Sequence, residues 1–288
     1  MTKNKIDNLK IGEFEISWLN GGNFALDGGA MFGVVPKVLW EKKYPCDPNN
    51  YVPLAARPML LRTPKNNILI ETGIGNKLTD KQKKIFRVNA EWDLVNDLNS
   101  LGLAPEDIDY VVLTHYDFDH AGGVVSKDNE GHLGLTFNNA LHLLQKSEWE
   151  DVLRPNIRSV NTFWPENNEI LRDSSNLQLI DGDIKVCEGV ELIVTGGHNR
   201  GHQIIRFHSE GEVAYHLGDL LPTHAHYNPL WIMAYDNFPL EAIEQKELFE
   251  GRARKEDAWL LFYHDPFYAA CKFDQKGSVL QSIGTGVL

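Results

Sequence analysis

The chain has 288 residues, 42% of them hydrophobic and 24% charged, and seven tryptophans. That composition excludes disorder over most of the length and allows one large domain or two small ones. A formal net charge of −12 disfavours nucleic acid and anionic membrane surfaces, both of which need a Lys/Arg face, so the expected partner is a small-molecule substrate. Cys46, Cys187 and Cys271 are few and scattered, which gives no disulfide framework and suits a reducing compartment. Met1 to Gly12 holds no apolar leader core, and no apolar run reaches bilayer length, so the expected location is cytoplasmic.

In chain order, Phe14–Leu19 alternates as a half-buried strand that ends at Asn20-Gly21-Gly22. Ala30–Pro36 is apolar but broken by Gly and Pro, which predicts a loop. Pro58–Arg62 and Asn67–Glu71 read as paired strands. Between Glu91 and Leu101, Leu94, Val95, Leu98 and Leu101 recur at helical spacing, and Gly102 and Pro105 stop the helix. Asp109–Leu113 is a buried strand, Ala140–Leu144 another, and Ser147 is the expected N-cap of a helix to Leu153. His142, among leucines, reads as a satisfied core histidine. Asn156–Asn176 is the least regular stretch and is expected to cover or flank a pocket. Short strands then follow at 177–180, 184–187, 190–194, 203–207 and 213–217, with a helix at Leu240–Arg254 and a strand at Ala258–Tyr263. This order suits two packed sheets with helices outside.

One stretch concentrates the chemistry. Directly after the apolar strand comes Thr114-His115-Tyr116-Asp117-Phe118-Asp119-His120-Ala121-Gly122-Gly123. On an extended backbone His115 and Asp117 share a side, Asp119 and His120 fall where the chain turns, and Gly122-Gly123 lets the backbone crowd the site. Such a group suits two adjacent metals. His198, Asp219 and His264 each follow an apolar strand, where loops converge on sites held by a rigid sheet.

At these residues the sequence resembles the metallo-β-lactamase superfamily, from Phe14 to Pro266. The resemblance implies an α+β fold, a four-layer αββα sandwich, as one domain over 1–288 with 1–12 as a polar extension. It implies two divalent metal ions: His115, Asp117 and His198 hold one, Asp119, His120 and His264 the other, and Asp219 bridges them. Two departures stand out. Asp117 replaces the family's second His, and Glu71 replaces the Asp that precedes Thr-Gly, where it is expected to support the ligands rather than bind metal. An extra carboxylate lowers Lewis acidity and suits harder ions, so manganese or iron is expected beside zinc.

Within the superfamily the chain is most similar to the quorum-quenching lactonases, on Trp18–Gly22, Asp27–Lys37 and Gly218–His226. The implied reaction is the opening of a lactone ring, as in an N-acyl homoserine lactone, by a metal-activated water, with Asp119 orienting it or taking its proton. Met31, Phe32, His224 and His226 are expected at the substrate pocket, and Tyr227 is expected to support the oxygen that gains charge. His202 is expected to be structural. A phosphoester or phosphotriester hydrolase is an alternative on the same site. From other classes come a diiron redox protein and a metal-bound binding module. A homodimer is expected if the apolar loop near Met31 needs cover.

Overall fold

The computed structural model describes residues 7–285. Two seven-stranded sheets carry the fold, and in each the strands lie side by side in chain order once two small hairpins are set aside. The first sheet runs Asn8–Ile11, Phe14–Trp18, Met59–Arg62, Asn67–Ile70, Tyr110–Val112, Leu141–Gln145 and Leu177–Ile180. Its early strands pair antiparallel and its last three join in parallel, through helical crossovers. The second runs Ile184–Cys187, Val190–Val194, Gln203–Ser209, Glu212–His216, Trp259–Leu261, Tyr268–Phe273 and Val279–Gly284.

Alternation along the strands sorts the core into layers. Met59, Leu61, Ile68, Ile70 and Leu143 face the second sheet's Leu192, Ile205, Phe207 and Ala270. Their neighbours Leu60, Leu69, Val111 and Leu144 face outward, onto Leu94 and Leu98 of the helix Leu94–Ser100 and onto Trp149 and Val152 of the helix Lys146–Leu153. On the far side Ile204, Tyr215 and Leu260 pack on Ala242, Phe249 and Ala253 of the helix Pro239–Lys255. The result is the expected α+β, four-layer αββα sandwich. No helix among the described residues is long and apolar enough to cross a membrane.

Several local expectations change. The polar extension 1–12 is in part an edge strand: Asn8–Ile11 pairs with Phe14–Trp18 and Ile11 is buried, while residues 1–6 lie outside the described ones. The start of Ala30–Pro36, expected as loop, belongs to the short helix Gly28–Phe32, which Asp27 caps by accepting from Ala30 N. Ser147 is not a cap. It lies inside the helix that begins at Lys146, and Gln145 takes the cap position without a side-chain bond. His142 is fully buried but not satisfied: neither ring nitrogen has a hydrogen-bond partner among the described residues, although the Ala140 and Asn176 backbone lies close by. The irregular stretch contains the helix Pro165–Arg172.

Candidate metal centre

Loops at one edge of the two sheets bring the predicted ligands together. His115 and Asp117 lie on extended chain after Tyr110–Val112, and Asp119 and His120 on the one-turn helix Phe118–Ala121. The chain can double back here because Gly122 and Gly123 have no side chains. A Cβ at Gly122 would sit 2.4 Å from the Ile74 backbone, and one at Gly123 would sit 2.3 Å from Thr72 O. Asp219 follows Glu212–His216, and His264 follows Trp259–Leu261. His115, Asp117 and His198 form one group with ligand atoms within 4.8 Å of each other, and Asp119, His120 and His264 form a second. Asp219 lies between them: Oδ1 is 3.3 Å from the Nε2 of both His120 and His264, and Oδ2 is 3.7 Å from His198 Nε2.

Hydrogen bonds fix which nitrogen each imidazole turns inward. His198 Nδ1–H donates to Asp236 Oδ1 at 2.8 Å, and His264 Nδ1–H donates to Ala55 O at 2.9 Å. His120 Nδ1 faces Glu71 Oε1 at 3.4 Å. The Thr114 hydroxyl donates to Glu71, so it must accept from His115 Nδ1, 2.9 Å away. Three rings therefore spend Nδ1 on outward hydrogen bonds, His120 turns its Nδ1 toward Glu71, and all four direct Nε2 at the shared space. His120 Nε2 and His264 Nε2 are 3.1 Å apart, and both His115 Nε2 and Asp219 Oδ1 are buried without a hydrogen bond among the described residues. Ring nitrogens that converge on one another and on buried carboxylates favour positive charge between them. The donor set fits two divalent cations.

Electrostatics point the same way. Burial alone would lower His120 and His198, yet Asp219 and Glu71 hold the first well above its ordinary range, and Asp117 and Asp236 hold the second there. Burial opposes ionisation of Asp117 and Asp219, and the histidines nonetheless keep both far below the usual carboxylate range. Glu71 is held down in the same manner by His120, as a support behind the ligands. Burial, with Asp117 nearby, raises Glu148 to about 7.

A cavity of about 480 Å³ opens onto this centre. Leu26, Met31, Leu54, Phe86 and Phe118 form an apolar side, and Arg158, Asn199 and Asn237 a polar one. The stretch expected to cover or flank a pocket contributes Arg158, Ser159, Asn161 and Thr162 to its lining. Of the residues expected at the pocket, only Met31 lines it. Phe32 is stacked between Trp40 and His226. His226 is tied to Thr223 Oγ1 and Met31 O, and His224 to Asp265. These three shape the wall from behind. Tyr227 is a correction as well: it stacks on Phe273, its hydroxyl accepts from Arg254 Nη1 at 2.7 Å, and it belongs to the core beneath the long helix. Tyr235, 42% exposed, borders the cavity in its place. His202 Nε2 accepts from Asp219 N at 3.3 Å, and its Nδ1 faces Thr195 Oγ1 at 2.8 Å. Sequence reasoning missed Tyr235, Asp236 and Asn237, because they sit on a loop with no strand end or spacing to mark it.

An αββα sandwich with paired His/Asp clusters at the sheet edge defines the class of metal-dependent hydrolases. The chain belongs to the metallo-beta-lactamase superfamily, whose family model matches residues 53–264. It is 41% identical to a probable metal-dependent hydrolase from Staphylococcus aureus whose structure is solved, with a TM-score of 0.91 over 97% of this chain and 100% of that one. The N-acyl homoserine lactonase AiiA of Bacillus thuringiensis subsp. kurstaki is 27% identical over 161 residues, 52% of this chain and only 57% of the relative's own length. AidC, a dizinc quorum-quenching lactonase solved with a product, shares the fold at 20% identity and a TM-score of 0.79, over 99% of each chain.

Proposed function

We propose that this chain opens lactone rings of the N-acyl homoserine lactone kind, using two divalent metal ions. The observation that carries the reading is the position of Asp219, with one oxygen toward His120 and His264 and the other toward His198. Bound at the two clusters, the ions would supply Lewis-acid polarisation of the scissile carbonyl and acidify a water. The chain's own residues do the rest. Asp119 borders the cavity with its Oδ2 3.6 Å from His264 Nε2, where it can hold the attacking water and take its proton. Tyr235 lines the cavity, where its hydroxyl can donate to the oxygen that gains charge. The apolar side from Leu26 to Phe118 suits an acyl chain, and the lactonase relatives support that choice of substrate.

Full-length protein reconstituted separately with Zn²⁺, Mn²⁺ and Fe²⁺, and assayed on N-acyl lactones, aryl phosphotriesters and thioesters, tests the reading. Lactone turnover is expected to exceed the others with every active metal. Tyr235→Phe is expected to lower kcat for the lactone by about a hundredfold, the scale of one lost oxyanion donor, with KM little changed. Faster phosphotriester turnover would give the site to phosphorus chemistry instead, and an unchanged kcat would remove Tyr235 from the reaction.

A further inference from the structure

Asp117 presents its two oxygens to different surroundings. Oδ2 faces the first cluster, 3.2 Å from His198 Nε2 and 3.5 Å from His115 Nε2. Oδ1 faces a donor instead, Asn199 Nδ2, at 3.4 Å. Asn199 is buried, and the same Nδ2 donates to Glu148 Oε1 at 3.0 Å. An Asn amide fits its density of contacts either way round, so its neighbours must decide which end meets a carboxylate.

The deciding group is a guanidinium, which can only donate. Arg158 Nε donates to Asn237 Oδ1 at 2.7 Å, which turns Asn237 Nδ2 inward. That nitrogen donates to Asn199 Oδ1 at 2.8 Å, so Asn199 must give its own Nδ2 to Glu148 and Asp117. Arg158 is itself fixed by donating to the carbonyls of Ala234 and Asp236, on the loop that also supplies the partner of His198. Arg158, Asn237, Asn199 and Asp117 all line the cavity, so the polar side is one directed row of hydrogen bonds.

We propose that Arg158, Asn237 and Asn199 form a positioning relay that lets a carboxylate serve as metal ligand at residue 117. An imidazole there would offer a metal one lone pair on a rigid ring. A carboxylate offers two oxygens and turns about its Cβ–Cγ bond, so it can drift between one-oxygen and two-oxygen contact. Donation from Asn199 to Oδ1 holds it and leaves Oδ2 for the metal. The relay rests on the reading of Asp117 as a ligand, and it assigns the three residues no contact with the ion.

The test is zinc binding by the full chain, measured by competition with a chromophoric chelator and by metal content after gel filtration. Asn199→Ala and Asn237→Ala are each expected to weaken one of the two zinc ions about tenfold, the lower end for a group that orients a ligand, and to leave the other within twofold. In an Asp117→His background, Asn199→Ala is expected to change zinc affinity less than twofold, since nothing remains for the relay to hold. Equal losses in both backgrounds, or no loss in either, would overturn the relay. Should Asn199→Ala fail to fold, the same comparison with Asn237→Ala decides, because Asn237 lies on a different loop. Asp117→Asn separates the two layers: loss of one zinc keeps Asp117 as a ligand whatever the relay does, and two zinc ions at unchanged affinity would overturn both readings.

Discussion

His198 donates to Asp236 Oδ1, and Asp236 Oδ2 in turn accepts from Met233 N at 2.9 Å, with both side chains buried. The carboxylate thus fixes the ring's tautomer and raises the basicity of its inward nitrogen. Replacing it with a neutral isostere keeps the shape and removes the charge. Asp236→Asn is expected to weaken metal binding by roughly tenfold to a hundredfold at the cluster of His115, Asp117 and His198, read by chelator competition, and to lower the unfolding midpoint of the metal-free protein, because buried His198 loses its charged partner. An unchanged affinity would mean that the Asp236 charge is not felt at Nε2. Nothing in the sequence near Asp236 announces this role, since a single Asp in a polar loop looks like any solvated acid.

At the scale of elements, the stretch from Thr114 to Gly123 works because a strand end, a one-turn helix and a turn are pressed onto the chain at 72–75. Lys77 locks that contact: its buried Nζ donates to the carbonyls of Gly122 and Val125, and burial lowers it to about 8. Gly122 has ordinary helical angles, φ −60° and ψ −28°, so its need is for space rather than for an unusual backbone. Gly122→Ala is therefore expected to destabilise by roughly 1–3 kcal/mol through overpacking, measured by the denaturant midpoint, and to lower metal content because Asp119 and His120 shift with the backbone. Retention of full stability and two metals would show that the 72–75 turn can yield. The spacing of this stretch was legible in the sequence. The helix Pro165–Arg172 was not, since its apolar face is thin and its end, at Arg172, carries no glycine stop.

Across the whole molecule, the sheets form the rigid base, and their burial has a pH signature. His142 lies in the first sheet opposite Val111 and Leu177, and burial lowers its pKa to about 4 from an ordinary 6.5. The folded value is the depressed one, so the stability it carries is full above 6.5 and is lost as pH falls from there toward 4, where the unfolded chain takes up a proton that the folded chain refuses. The loss amounts to about 3 kcal/mol. His142→Leu is expected to flatten the stability profile across that window in denaturant titrations at stepped pH, and an unchanged acid slope would locate the sensitivity elsewhere.

The sequence by itself showed most strands of the two sheets and the His/Asp-rich strand ends from His115 to His264. Strand alternation and His/Asp spacing are local properties: four of these residues follow one apolar strand, and His198, Asp219 and His264 each follow another. Tertiary structure alone decided what lies around them. Tyr227 packs in the core and Tyr235 borders the cavity because the packing of the 228–238 loop, which no periodicity encodes, sets where each ring lies. Asn199 reaches Asp117 and is itself held by Glu148 and Asn237, and side chains so far apart along the chain meet only when both sheets have folded.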